Sequence, residues 1–266
     1  FPQDEDFEPP SQPFNTPFVR MPLLELKGHR GVVIAADFLA GGDRVITASW
    51  DRTARLWPLH LSTAASSSFS SSTNLGDGTV THNPAPPISI QQVETGGSGE
   101  RCRPTNISAH PSSPIAVISS TDGAFRIWDM RVQHIVVEVP QAHSESCLTA
   151  VFSPDGEMIV SGGADKHVKI WDMRSSLKNS RLDIRAGAPP NRLNVSPNSH
   201  SIVIPQDEGA SVFDSNTGKR IGKVAKHPRA SVLSANCWSY NEASLYTATF
   251  DGVISVWSKS ASLLAL

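Results

Sequence analysis

Histidine and aspartate occur twice in this chain at the same separation, in a pattern that could serve acid-base chemistry. His29 stands 22 positions before Asp51, and His143 stands 22 positions before Asp165. A histidine whose ring is held by a carboxylate is a common proton acceptor near neutral pH, so either pair could act as a general base. The alternative is a buried hydrogen bond that fixes a loop to a hairpin. The elements around the pairs distinguish these two interpretations.

The aspartates belong to a longer repeated pattern, in which an aromatic residue follows six positions later. Five stretches share it, namely DRTARLW, DGAFRIWD, DKHVKIWD, DEGASVFD and DGVISVW. The five pairs are Asp51 and Trp57, Asp122 and Trp128, Asp165 and Trp171, Asp207 and Phe213, and Asp251 and Trp257. Successive aromatic residues are separated by 71, 43, 42 and 44 positions. A period in the low forties indicates a repeat protein.

The first interval is long because it contains a low-complexity stretch. Residues 61–87 are rich in Ser, Thr, Pro and Gly and have too little apolar content to order themselves. Removing these 27 residues from the 71 leaves 44, which restores the period. We therefore predict an inserted loop over 61–87, repeat units over 23–262, an acidic, proline-rich linker over 1–22 and a short tail over 263–266.

Each unit has the pattern of short strands joined by turns. In the third unit, CLTAVFS and EMIVSGG are predicted strands joined by the turn SPDG, and HVKIWDM alternates apolar Val168 and Ile170 with polar Lys169. SRLDIRA supplies a fourth strand, and no segment shows sustained helical periodicity. Four short strands per unit of about 43 residues are typical of β-propeller blades, so the predicted fold class is all-β.

These features together resemble the WD-repeat (WD40) β-propeller proteins. Gly28 and His29 form the GH dipeptide that opens such a unit, and Trp-Asp dipeptides close two units at 128–129 and 171–172. The first unit, the third to fifth units and the acidic segment are similar to one subgroup of that family, in which two further blades precede the acidic linker. That resemblance implies five visible blades of seven, in an N-terminally truncated fragment. The chain departs from the subgroup in its Ser-rich insertion and in GGSG at 96–99, where a GH dipeptide is expected.

The resemblance also implies a structural use for the histidines. In WD blades the histidine of the entering loop bonds the aspartate of the second hairpin, and a strand Ser or Thr and the aromatic residue complete the set. The sets implied here are His29, Asp51 and Trp57; His143, Asp165 and Trp171; and His227, Asp251 and Trp257, with the partial sets Asp122 and Trp128, and Asp207 and Phe213. Ser49 or Thr47 could supply the hydroxyl of the first set.

The repetition of the dyad argues against catalysis. A mechanism needs one activated base beside a nucleophile, an oxyanion site or a metal, whereas here the dyad recurs from blade to blade and is dispersed around a ring. We therefore predict no enzyme activity and no catalytic, cofactor or metal site. An enzyme with a site in the central channel of the propeller is the alternative.

Two copies of the stretch WDMR end in Arg131 and Arg174. The stretch resembles the WDxR motif of WD-repeat substrate receptors of cullin-4 ubiquitin ligases, in which the arginine pairs with acidic groups on the ligase adaptor. The alternative is that both arginines are solvated strand ends, because Arg or Lys commonly follows Trp-Asp. A four-residue motif has a high false-positive rate, so docking through these arginines is an alternative prediction.

The composition limits the classes of partner. The formal net charge is −2, and Lys and Arg are scattered along the chain, which argues against nucleic acid. The longest apolar runs are far shorter than the ~20 residues of a membrane-spanning helix. Three widely separated cysteines, Cys102, Cys147 and Cys237, indicate reduced thiols in a cytoplasmic or nuclear protein.

The function expected from the sequence is a non-catalytic scaffold for protein partners. The subgroup resemblance implies phosphofurin acidic cluster sorting adaptors as the partners, with a role in membrane traffic and endoplasmic-reticulum calcium homeostasis. It implies neither a cofactor nor a small-molecule substrate. A substrate receptor of a cullin-4 ubiquitin ligase, in which a ligase adaptor would be the partner, is the alternative.

Overall fold

Strands joined by turns and loops make up the whole described part of the chain. The computed structural model describes residues 25–59, 91–95, 102–206, 209–224, 233–249 and 252–258. Within these ranges there is no helix, and hence none that is long and apolar enough to cross a membrane. The strands form five antiparallel sheets, each built in chain order, which we number as blades 1 to 5. The predicted all-β fold is therefore confirmed.

The blades have the following strands. Blade 1 contains β1 (Val33–Phe38), β2 (Arg44–Ser49), β3 (Thr53–Pro58) and β4 (Gln91–Glu94). Blade 2 contains β5 (Pro104–Ala109), β6 (Ile115–Ser120), β7 (Phe125–Asp129) and β8 (His134–Val139). Blade 3 contains β9 (Cys147–Phe152), β10 (Met158–Gly163), β11 (His167–Asp172) and β12 (Leu182–Arg185). Blade 4 contains β13 (Asn194–Val195), β14 (Ser201–Gln206), β15 (Gly209–Asp214) and β16 (Arg220–Val224). The described strands of blade 5 are β17 (Leu233–Trp238), β18 (Ser244–Thr249) and β19 (Ile254–Ser258).

A tight turn between the second and third strands places the repeated aspartates of blades 1 to 3 at one end of their blades. In blade 3 the N–H of Lys166 donates to the carbonyl of Gly163 at 3.1 Å, and Asp165 lies between them. Lys166 has a φ of 63°, in the left-handed region that closes such a turn. Because Asp165 lies outside the strand ladder, its side chain is available to the loop that enters the blade.

Alternate residues of the second strands pack against opposite neighbours. Val117 of β6 lies in one buried cluster with Ile159 of β10, whereas Ile118 of β6 packs with Ile46 of β2. The same alternation continues along the chain, because Val160 of β10 packs with Ile202 of β14. Successive side chains of a strand point to opposite faces, so blades 2, 3 and 4 each join the blade before to the blade after.

The first strands of all five blades surround one cavity. Its volume is about 560 Å³, and its lining includes Asp37, Asn106, Thr149, Asn194 and Asn236, one from each of β1, β5, β9, β13 and β17. The blades are therefore arranged around a common axis, as the WD-repeat propeller prediction requires.

Three predicted segments fall wholly or largely outside the described residues. They are the linker 1–22, the insertion 61–87 and the tail 263–266, and they stay predictions. β3 pairs with β4, so the chain returns to blade 1 to add its fourth strand after the intervening residues.

Candidate functional site

A continuous hydrogen-bond chain runs through blade 1. The indole N–H of Trp57 donates to Oγ1 of Thr47 at 2.8 Å, and the same oxygen lies 2.7 Å from Nε2 of His29. Nδ1 of His29 lies 2.8 Å from Oδ2 of Asp51. The ionised carboxylate of Asp51 can only accept, so a neutral His29 ring donates to it from Nδ1, and Nε2 accepts the hydroxyl proton of Thr47. The sequence left open whether Ser49 or Thr47 supplies the hydroxyl of the first set, and the structure shows that it is Thr47.

The carboxylate of Asp51 is fully occupied within the same region. Its Oδ2 also accepts from the N–H of Arg30 at 2.8 Å, and its Oδ1 accepts from the hydroxyl of Thr53 at 2.7 Å. Burial alone would raise the pKa of this carboxyl, but the hydrogen bonds from Thr53, Arg30 and His29 outweigh it and hold the pKa well below its usual range. Asp51 is thus ionised and directed into the protein.

Blade 3 repeats the arrangement in a more buried setting. The indole N–H of Trp171 donates to Oγ of Ser161 at 2.9 Å, and Nε2 of His143 lies 2.8 Å from that oxygen. Nδ1 of His143 lies 3.1 Å from Oδ1 of Asp165. Burial lowers the pKa of His143 despite the opposing charge of Asp165, so the ring is neutral at pH 7.

In blade 2 the aspartate is bonded by an arginine of β7 instead of by a histidine of the entering loop. Arg126 is buried, and its guanidinium donates to Oδ2 of Asp122 and to Oε1 of Glu138, each at 2.6 Å. The thiol of Cys102 donates to the same Asp122 oxygen at 3.3 Å. Burial opposes ionisation of Asp122, but Arg126 and Cys102 together keep the pKa of Asp122 below its usual value. The aspartate is held in the same position by different chemistry.

Trp128, which the sequence groups with Asp122, is not joined to it. Its buried indole N–H has no hydrogen-bond partner in the described structure. Ala116 pairs with Trp128, as Ile159 pairs with Trp171, so Ile118 stands where Ser161 stands in blade 3. Isoleucine has no hydroxyl to accept the proton, and the indole of Trp128 contributes only apolar packing to this blade.

The last two blades contain parts of the pattern. In blade 5 the indole N–H of Trp257 donates to Oγ1 of Thr247 at 2.8 Å. In blade 4 the side chain of Phe213 has no N–H to donate, and Ile204 stands where Ser161 stands in blade 3. His227, Asp207 and Asp251 lie outside the described residues, so the proposed sets that contain them stay predictions.

The two WDMR arginines occupy equivalent places in adjacent blades. Arg131 follows β7 and Arg174 follows β11, with 68% and 67% of their side chains exposed. Arg131 makes a two-point contact with Asp129, at 3.0 and 2.6 Å, and lowers the pKa of that carboxyl to about 2. Arg174 forms an ion pair with Glu157. Each guanidinium therefore already has a local carboxylate.

The sequence reasoning missed Arg126, although a signal for it exists. A cation stands four positions after the aspartate in the first three units, as Arg55, Arg126 and Lys169. In blade 3 the Lys169 ammonium donates to the carbonyl of Ala142, in the loop before β9, at 2.7 Å. This position is therefore directed at the entering loop, and in blade 2 it also reaches the aspartate.

Comparisons with known proteins agree with this geometry. The family model "WD domain, G-beta repeat" matches residues 20–58, 135–172 and 218–258. WD repeat-containing protein 37 of Mus musculus is 32% identical over 91% of this chain and 44% of its own length. The Homo sapiens protein of that name is 31% identical over the same shares. MST50-interacting protein 11 of Pyricularia oryzae is 24% identical over 89% of this chain and 81% of its own.

The chain thus spans less than half the length of the WD repeat-containing protein 37 relatives. The family-model matches agree with the fold, in which five antiparallel sheets of three or four described strands surround one axis. This chain belongs to the WD-repeat (WD40) family of β-propeller proteins.

Proposed function

We propose that this chain is part of a non-catalytic scaffold that presents the loops of a rigid propeller to protein partners. The observation that carries the proposal is the saturation of the repeated histidines. Both ring nitrogens of His29 and of His143 lie within hydrogen-bond distance of partners inside their own blade. A general base needs a nitrogen that can reach a substrate proton. These rings instead fix the entering loops, which supports a structural role.

The partners that we propose are the phosphofurin acidic cluster sorting adaptors. The support is the similarity to WD repeat-containing protein 37, whose group the sequence already indicated, together with a fold whose rigid blades hold several loops at fixed positions. The proposed setting is the cytoplasm and nucleus, with a role in membrane traffic and endoplasmic-reticulum calcium homeostasis.

A second candidate is a substrate receptor of a cullin-4 ubiquitin ligase. The observation that favours it is the placement of two exposed arginines, Arg131 and Arg174, at equivalent ends of neighbouring blades. The observation against it is that each already pairs with a carboxylate of its own blade. A ligase adaptor would have to displace Asp129 and Glu157, which reduces the gain from its own acidic groups.

Affinity purification from cells distinguishes the two candidates. The bait is the full-length protein that contains this chain, as wild type and as the double variant Arg131→Ala and Arg174→Ala. We expect sorting adaptors in both samples at equal yield, because the sorting-adaptor proposal assigns no role to these two arginines. Recovery of the cullin adaptor by the wild type alone would support the second candidate instead, and recovery of neither would remove both partner assignments.

The enzyme alternative is tested on His29→Ala. We expect a lower melting temperature and no separate functional loss once the folded fraction is taken into account, because the ring is a member of a buried network. A variant that kept the wild-type melting temperature and lost an activity would contradict the scaffold proposal.

A further inference from the structure

An exposed tryptophan occupies the β2–β3 turn of blade 1, beside the aspartate that faces inward. Trp50 is 49% exposed. The corresponding residues in blades 2 and 3 are Thr121 and Ala164, which shows that the turn itself does not need a large side chain. A tryptophan left half in water gives up about half of its possible burial, and aromatic residues of this kind are enriched at binding sites.

The neighbours of Trp50 extend the apolar surface and connect two blades. The backbone N–H of Trp50 donates to the carbonyl of Val32 at 2.9 Å, and Val32 is itself 57% exposed. The guanidinium carbon of Arg103, in the loop before β5, lies 5.6 Å from the centre of the Trp50 ring. This cation-π distance places the ring against a residue of the loop before β5, while about half of Trp50 stays exposed.

Three exposed arginines belong to the segments that meet at Trp50: Arg103 lies against its ring, Arg52 is in the same turn, and the backbone N–H of Arg30 donates to Asp51 at 2.8 Å. Among the described residues none of the three has an ion-pair partner, in contrast to Arg131 and Arg174. The carboxylates of the two turns make their side-chain contacts elsewhere, Asp51 with His29 and Thr53, and Asp122 with Arg126. The surface therefore combines three guanidiniums that lack a direct carboxylate contact among the described residues with an exposed aromatic ring, in a chain whose formal net charge is −2.

We propose that this surface, which we call the Trp50 patch (Val32, Trp50, Arg30, Arg52 and Arg103), binds a short acidic peptide segment of a protein partner. An apolar side chain of the segment covers Trp50 and Val32, and flanking carboxylates pair with the guanidiniums. Arginine suits this role because its planar fork bonds a carboxylate at two points and remains charged at any physiological pH. The inference rests on the proposed scaffold function and assigns it a surface and a ligand class.

The patch fits a peptide better than a nucleic-acid strand. A strand that binds without sequence preference needs a positive groove that follows its backbone over several nucleotides. Here the cations of the patch are confined to the turn and loops of two blades.

The test is fluorescence anisotropy with the full chain and a labelled peptide in which one phenylalanine has three glutamates on each side. We expect saturable binding that weakens as salt is raised. Trp50→Ala and Arg103→Glu should each weaken binding about tenfold or more, which is typical of a central aromatic or arginine contact. Replacing the glutamates by glutamine, or the phenylalanine by alanine, should weaken binding comparably.

Matched controls separate the patch from general surface effects. Tyr240→Ala removes an aromatic ring that is 96% exposed on blade 5, and Arg185→Glu reverses an exposed arginine of β12. Both should bind the peptide as the wild type does. Melting temperatures monitor folding, and Trp50→Phe, which keeps a ring in place, should recover part of the affinity.

Three outcomes would overturn the inference. The first is no peptide binding by the wild type, and the second is an equal loss of affinity in the control variants. The third is tighter binding of a single-stranded thymidine oligonucleotide than of the peptide, with that binding lost in the Trp50 and Arg103 variants. The first leaves the scaffold proposal intact if sorting adaptors still co-purify. Peptide binding without any co-purified protein partner would instead support the patch and contradict the proposed partners.

Discussion

Replacing Ser161 by alanine removes one oxygen on which two buried groups depend. The hydroxyl accepts from the Trp171 indole at 2.9 Å and lies 2.8 Å from Nε2 of His143, and the side chain is wholly buried. An unsatisfied buried polar group costs about 1–3 kcal/mol, so two of them lower the free energy of unfolding by about 2–6 kcal/mol. The methyl group of alanine fits the space, so no steric cost is added.

Urea unfolding of wild type and Ser161→Ala, followed by circular dichroism, measures the change. Ser112→Ala is the matched control, because Ser112 is exposed and should change the free energy by less than about 0.5 kcal/mol. Adding Trp171→Phe removes the indole donor, so the double variant should lose less than the two single losses together. A coupling of about 1 kcal/mol is expected for groups that share a hydrogen bond.

A loss in Ser161→Ala no larger than that of the control would refute the reasoning, because it would mean that the two groups are not sharing this oxygen. Additive single losses would contradict the link to Trp171 specifically. Either result would remove the physical basis for treating the serine, histidine and tryptophan as one unit.

Three further outcomes follow from the contacts. Arg126→Met removes the buried cation from Asp122, whose side chain is itself 29% exposed, so thermal unfolding should show a loss of about 1–3 kcal/mol; a loss below about 0.5 kcal/mol would contradict the role of Arg126 in holding Asp122. Gly163→Ala would place a methyl group 2.5 Å from the His143 ring, so differential scanning calorimetry should show about 1–3 kcal/mol of destabilisation, and an unchanged melting temperature would be the contrary result. The folded-state pKa values of His143 and Asp165 are both below their ordinary values, so the unfolded chain binds more protons than the folded chain. Stability therefore falls as the pH is lowered, below about pH 6.5 because of His143 and below about pH 4 because of Asp165. Hydrogen exchange, corrected for the intrinsic rate, should show β10 and β11 losing protection between pH 7 and 5.5 while β6 and β7 do not, and equal losses in both blades would contradict this assignment.

The repeat spacing was sufficient to predict the blades. An aspartate six positions before an aromatic residue spans one turn and one strand, and the strand must alternate faces, so Asp165 and Trp171 fix the position of β11. The same argument located the His29 and His143 pairs, because their separation is the length of one strand hairpin plus the entering loop. The backbone of such a repeat follows from local pattern alone.

The differences between blades did not follow from that pattern. Arg126 lies on β7 and is remote in sequence from Cys102 and Glu138, and only the sheet pairing brings the three together. The missing partner of Trp128 depends on Ile118, which any apolar strand pattern would accept. Exposure of Trp50 likewise depends on how residues of the next blade, such as Arg103, pack beside its turn, and a single sequence does not specify that packing.

The turn that carries Asp51 and Trp50 has two separable uses. Asp51 is directed into the blade, where it accepts from His29, while the adjacent Trp50 is directed to solvent beneath Arg103. Because neighbouring turn residues face opposite environments, loss of the inner contacts should lower stability with little effect on the affinity of the folded protein, and loss of the outer ring should do the reverse. Thr47→Ala and Trp50→Ala make this comparison, since Thr47 is buried within the hydrogen-bond chain and Trp50 lies outside it. If the two variants changed peptide affinity and melting temperature in the same proportion, the Trp50 patch and the hydrogen-bond chain of blade 1 would be one structural unit. The turn would then serve only the fold.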